Sequence, residues 1–98
     1  MAFCTLLEWD DDFPFDRYHE LNARAGDHDS LPDGCLARVV GADGAGARII
    51  EVWRTDEDAK RFSDKNSHLI AELQIPPPSR IAAFETNIFQ ARATTSQV

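Results

Sequence analysis

Apolar and polar residues along this chain alternate between two periods. Residues 2–9 (AFCTLLEW) are apolar on both parities, with Phe3, Leu7 and Trp9 on one and Cys4 and Leu6 on the other. That is the pattern of a strand covered on both faces. From Phe15 to Ala25 (FDRYHELNARA) the period becomes helical, about 100° per residue. Phe15, Tyr18, Asn22 and Ala25 then share a face flanked by Leu21, and the charged residues lie elsewhere. Pro14 stands where a first helical turn can begin, and Gly26 suits a C-cap. Residues 27–34 (DHDSLPDG), His28 among them, are loop chemistry throughout. Period 2 returns in residues 35–41 (CLARVVG) and 48–54 (RIIEVWR). A hairpin turn over residues 42–46 joins them, with the favourable pair Asp43-Gly44. In the later strand Ile49, Glu51 and Trp53 point one way, and Ile50, Val52 and Arg54 the other.

Thr55 is a good N-cap, and Asp58 three residues on makes a variant of the capping box. The acids Asp56, Glu57 and Asp58 suit the positive end of a helix. Its apolar stripe is Ala59, Phe62, Leu69, Ile70 and Leu73, with Asn66 inside it; Arg61, Lys65, His68 and Glu72 form the solvated stripe. Three prolines at 76–78 stop the helix and start an extended linker. Residues 80–90 (RIAAFETNIFQ) read as a fourth strand, and residues 91–98 as a flexible tail.

The order β-α-β-β-α-β predicts an α+β, ferredoxin-like domain over residues 1–90. It is a four-stranded antiparallel sheet with both helices on one face, joined by right-handed crossovers. Ile50, Val52, Cys4 and Leu6 make the other face apolar as well. An open apolar face on so small a protein calls for a partner, and a second copy packed sheet to sheet is the simplest one.

Composition narrows the function classes. The chain has 98 residues and a net charge of −7, so it lacks the clustered cations that a nucleic-acid or anionic-membrane surface requires. The acids of residues 8–12 (EWDDD) read as a solvated loop, since no second carboxylate cluster at ligand spacing accompanies them. The two cysteines, Cys4 and Cys35, show no CxxC or Cys/His metal spacing. They read as reduced residues of a cytoplasmic protein, as does an N-terminus without the marks of a signal peptide. No stretch has the length of a membrane span. There is no Ser-His-Asp set, phosphate loop, dinucleotide fingerprint or metal motif.

The strand end IIEVW (residues 49–53), the RTDED that follows, and a helix carrying Phe62 and NSHL (residues 66–69) resemble the dimeric α/β-barrel superfamily. The likeness is to its antibiotic biosynthesis monooxygenase-like group, and YHELN (residues 18–22) resembles the first helix of small members of that group. The resemblance spans about residues 3–89. It implies a homodimer pairing into an α/β barrel, with an apolar or aromatic small-molecule ligand held between helices and sheet. It also implies activities such as cofactor-independent oxygenation, isomerisation or cyclisation of polyketide-like substrates. Two departures stand out. Phe62 occupies a place where many members carry His, and Ser67 rather than Pro precedes His68. The first strand has no Asn, which argues against haem degradation.

The candidate site residues follow. Asn22 and Asn66 interrupt apolar helix faces, and a buried amide must find partners at a cost of about 1–3 kcal/mol if it fails. They would bind a ligand oxygen, or else bond nearby backbone or each other. Tyr18 shares the Asn22 face as a substrate-orienting hydroxyl or a core aromatic. Trp53 and Phe62 would wall a flat ligand, or else Trp53 is plain core. Glu51, mid-strand among apolar residues, would have a raised pKa in an apolar pocket and serve as general base. Arg38 or Arg48 across the hairpin would instead hold it as an ion pair. His68 has base chemistry but reaches a pocket only if its helix breaks near Ser67. The expected protein is a cofactor-free, metal-free tailoring enzyme. The alternative is a non-catalytic homodimeric ligand-binding module, and a redox role for the cysteines is the weakest reading.

Overall fold

The computed structural model describes residues 2–27 and 29–92. The tail expected over residues 91–98 falls, from residue 93 on, outside the described residues, as does His28. Six elements follow in the expected order: β1 (Phe3–Trp9), α1 (Phe15–Ala25), β2 (Cys35–Asp43), β3 (Gly46–Trp53), α2 (Asp56–Glu72) and β4 (Arg80–Glu85). The strands form one antiparallel sheet in the order β2-β3-β1-β4. This is the ferredoxin-like arrangement.

Alternation decides which residues the helices cover. Ile49, Glu51 and Trp53 of β3 are buried, while Ile50 between them is exposed. β1 pairs with β3 so that Leu7 faces Ile49 and Phe3 faces Trp53. Those side chains therefore share the helix-covered layer. Trp9, Phe13, Tyr18, Leu21, Ala47, Ile49 and Leu73 form the core there. The Phe13 ring lies 4.7 Å from Trp9 and 5.6 Å from Tyr18, centroid to centroid, within the range of favourable aromatic pairs.

Three boundaries differ from expectation. The β2–β3 turn is only Gly44 and Ala45, since Asp43 still pairs with Gly46. Gly44 takes a positive φ of 61°, at the first central position where two-residue hairpins use glycine. At Gly46 the backbone of Trp9 comes so close that a Cβ would collide with its carbonyl oxygen. The fourth strand stops at Glu85 rather than Gln90, because Glu85 pairs with Phe3 at the start of β1. One further bond runs from Thr86 N to Ala2 O, and then the partner strand ends. Lastly, Pro14 is the N-cap of α1 and supplies no side-chain hydrogen bond.

The other helix ends follow the sequence. Gly26 closes α1 in a left-handed conformation. Thr55 caps α2, its Oγ1 accepting from Asp58 N at 3.1 Å. Asp58 does not complete the box; its carboxylate takes Arg61 at 2.7 Å instead. Among the described residues no helix is long and apolar enough to cross a membrane. Replacing Thr55→Ala removes the cap of the longer helix, and denaturant titration is expected to show a loss of about 1 kcal/mol.

Candidate functional site

The helices and the sheet do not close on one another completely. Between them lies a cavity of about 250 Å³. Leu7, Trp9, Ile49, Phe62, Ile70 and Ile75 give it apolar walls, and prolines 76–78 with Ile81 line it on the β4 side. The proline linker is thus part of the site and is held there, since Trp9 Nε1 donates to Pro76 O at 2.8 Å. Five polar side chains join the lining: Tyr18 and Asn22 from α1, Arg38 from β2, Glu51 from β3 and Ser63 from α2.

Arg38 and Glu51 are the centre of this group. Arg38 Nε donates to Glu51 Oε2 at 2.9 Å, and Arg38 Nη2 lies 2.9 Å from the same oxygen. Arg38 Nη1 reaches Asn22 Oδ1 at 3.5 Å, the outer limit of a hydrogen bond. The guanidinium carbon sits 5.6 Å from the centroid of the Phe62 ring, a cation–π placement. Glu51 is only 7% exposed. Burial pushes its carboxyl above the usual range, although Arg38 pulls the other way. Burial likewise pushes the Tyr18 phenol up, against the Arg38 guanidinium and the neighbouring Asn22 amide.

The local sequence explains why Arg38 points inward. Counting back from the two-residue turn sets Arg38 opposite Glu51. A bulge between Cys35 and Ala37 then shifts the register by one, so Cys35 pairs with Trp53 on the same face as Arg38. Simple alternation along CLARVVG would have put the two on opposite faces. Arg38 entered the sequence reading only as a partner for Glu51. The hairpin register, counted from Gly44–Ala45, is the signal that identifies it as a site residue. Arg48, the other proposed partner, reaches Glu8, Asp43 and the carbonyls of Trp9 and Ala47 instead.

Of the residues singled out from sequence, the cavity brings together Tyr18, Asn22, Glu51 and Phe62. It does not include Trp53, Asn66 or His68. Trp53, 1% exposed, stands behind Phe62 at 5.4 Å between ring centroids, and its buried indole nitrogen has no hydrogen-bond partner among the described residues. Asn66, 2% exposed, donates from Nδ2 to the Phe62 carbonyl one turn back at 3.0 Å. Its amide serves its own helix. His68 is exposed, because α2 runs unbroken from Asp56 to Glu72 and leaves it on the solvated stripe. Among the described residues no three His, Cys, Asp or Glu side chains stand together as a metal site. The acids near the end of β1 are held by arginines: Arg80 bonds Glu8 Oε2 at 2.7 Å and Asp10 Oδ1 at 2.8 Å. Cys4 and Cys35 are free and buried, and burial raises both thiols.

A ferredoxin-like sheet with a ligand-sized cavity under its helices is therefore the class that fold and site define. The chain matches no family model and no curated protein. Solved structures do share its fold. A candidate antibiotic biosynthesis monooxygenase from Chloroflexus aurantiacus is similar with a TM-score of 0.65 and 18% identity, over 93% of this chain and 98% of that one. A Streptomyces coelicolor monooxygenase in complex with nanaomycin D has a TM-score of 0.57 and 10% identity, over 94% and 93% of the two chains. Rv0793 from Mycobacterium tuberculosis has a TM-score of 0.54 and 17% identity, over 94% and 100%. At such identities the likeness is one of fold.

The ion pair is tested by a double-mutant cycle. Glu51→Leu leaves the buried Arg38 without its carboxylate, and Arg38→Met leaves the buried Glu51 without its guanidinium; each is expected to cost about 3 kcal/mol. The double variant is expected to recover most of that in urea titrations. Additive losses would show that the two side chains are not energetically coupled.

Proposed function

We propose that the protein is a cofactor-independent enzyme of natural-product tailoring, acting by acid–base chemistry on a flat, apolar, polyketide-like molecule. The observation that carries this reading is the convergence of Tyr18, Asn22, Arg38 and Glu51 on a largely apolar cavity. Size narrows the substrate. A cavity of about 150 Å³ already takes benzene, and drug-sized ligands fill about 300–1,000 Å³. A space of about 250 Å³ then suits a core of one or two rings. The Streptomyces coelicolor monooxygenase of the same fold was solved with nanaomycin D, which supports a natural-product ligand.

Glu51 is the general base. Both Arg38 contacts fall on Oε2, so Oε1 is the oxygen that takes the proton of an acidic C–H or phenol. The electron pair left behind delocalises onto a substrate oxygen, which Arg38, the Tyr18 hydroxyl and the Asn22 amide face. That step precedes isomerisation, cyclisation or attack by O₂ alike, and it needs neither a metal nor an organic cofactor. His68 has no part in it. The free thiols fit a reducing, cytoplasmic setting.

The active form is a homodimer closed through the outer sheet face into an α/β barrel. Val39, Ile50 and Phe84 are exposed there by 61%, 39% and 53%, a patch that water alone covers poorly. A non-catalytic homodimeric binding module remains the second reading, favoured by the one carboxylate oxygen already committed to Arg38.

Turnover separates the two. On a hydroxylated one- or two-ring substrate, Glu51→Gln is expected to lower kcat/KM by about a hundred- to ten-thousandfold, and His68→Ala to leave it unchanged. Wild-type activity should rise with pH through the raised Glu51 pKa, because the base works only when ionised. Equal activity in wild type and Glu51→Gln would sink the catalytic reading. Sedimentation is expected to give a two-chain mass for the wild type and a one-chain mass for Ile50→Asp.

A further inference from the structure

The cavity holds one cation and one anion. Among the described residues that line it, Arg38 is the only Lys or Arg and Glu51 the only carboxylate. The elements packed around Glu51 add little charge. From α1 it is faced by the neutral Tyr18 phenol, and from β2 by Arg38 and the Cys35 thiol. The α2 residues in the lining are Phe62, Ser63 and Ile70, and β1 contributes Leu7 and Trp9. A further carboxylate, Asp27, feels Arg38 from an outer groove that shares Tyr18, Asn22 and Arg38 with the cavity. It adds to the negative side of the balance.

We infer that the cavity selects its ligand by charge: it takes ring compounds that arrive neutral, and takes an anionic one only together with a proton that comes to rest on Glu51. This deepens the reading above and rests on it. A buried guanidinium balances one negative charge; a second, among largely apolar walls, has no further cation in the lining to stabilise it. A neutral acid meets no such obstacle. When its proton passes to Glu51, the negative charge moves from the carboxylate to the substrate oxygen and stays beside Arg38, so the net charge of the cavity is the same before and after. An anion that enters ready-made must reach that same final state, and it does so by drawing one proton from solvent onto Glu51. Burial already raises the Glu51 carboxyl, in the direction this uptake requires. Glu51 thus sets specificity as well as reactivity. The substrates it selects are neutral, weakly acidic phenols or 1,3-dicarbonyls rather than carboxylates.

Calorimetry with 2-naphthol and 2-naphthoate, in buffers of different ionisation enthalpy from about pH 5.5 to 8.5, tests this. Binding of 2-naphthol should exchange no protons and keep a constant Kd. Binding of 2-naphthoate should take up one proton, its Kd rising about tenfold per pH unit above the Glu51 pKa. In Glu51→Gln the preference should reverse: 2-naphthoate pairs with Arg38, binds without proton uptake and raises the Tm of the variant. If 2-naphthol binds and 2-naphthoate binds equally well without a proton, the inference falls while the cavity reading stands. If 2-naphthoate binds neither the wild type nor Glu51→Gln, Arg38 is not an anion partner and the inference falls again. If neither probe binds the wild type, both the inference and the function proposed above are overturned. Should Glu51→Gln fail to fold, proton uptake by the wild type decides alone.

Discussion

A buried ion pair is an expensive thing to place in a protein of 98 residues. Taking Arg38 and Glu51 out of water costs several kcal/mol per ion before their attraction is counted. Their surroundings show how that cost is met. Two guanidinium nitrogens converge on one carboxylate oxygen, the Asn22 amide accepts a third contact, and the Phe62 ring offers its face to the guanidinium. Trp53 packs behind Phe62. Much of the helix–sheet interface is thus arranged around one pair of charges. A well-packed apolar pair would stabilise the fold at least as well, so the pair points to a use beyond stability.

The cavity beside the pair is braced from both ends. At one end the Trp9, Phe13 and Tyr18 rings hold α1 away from the sheet. At the other, the Trp9 indole ties down the proline linker, and Arg80 clips the start of β4 to Glu8 and Asp10. Trp9 belongs to both braces. Its backbone also presses on Gly46 so closely that no side chain fits there. The same residue therefore sets the spacing of α1, the path of the linker and the start of β3. The aromatic rings and prolines among the lining residues have few rotamers, which keeps this opening preformed.

Most of the fold was legible from period and punctuation. Alternation in β3, the Thr55 cap and the helical spacing of Phe15–Ala25 depend on neighbouring residues, and neighbouring residues are what a sequence displays. The site was legible only in part, for three physical reasons. A helical wheel gives direction but not depth: it set Asn66 on the apolar side without showing that the amide would bond its own helix. A strand parity gives a face but not a position along it, so Trp53 shares the face of Glu51 yet sits behind Phe62 rather than at the cavity. The bulge at Leu36 reverses parity within β2, and that hid Arg38. For His68 the wheel was a sound guide, because α2 continues without a break.

The hairpin register is where these threads meet. A slip of one residue between β2 and β3 would turn the edge strand β2 over, Arg38 outward and Val39 inward, because β3 is held by β1 on its other side. It would dissolve the ion pair, leave Glu51 buried without its guanidinium and place that guanidinium on the apolar outer face. Two features pin the register: the two-residue turn at Gly44–Ala45, and the bulge that restores Cys35 to the inner face. They act in opposite senses. The turn alone aligns Arg38 with Glu51 but would send Cys35 outward; the bulge alone would restore Cys35 without fixing what faces Glu51. Only both together put a guanidinium at the cavity while keeping the start of β2 packed under the helices. The chemistry of the pocket and the apolar character of the opposite face are therefore not independent traits of this chain, since one backbone alignment sets both.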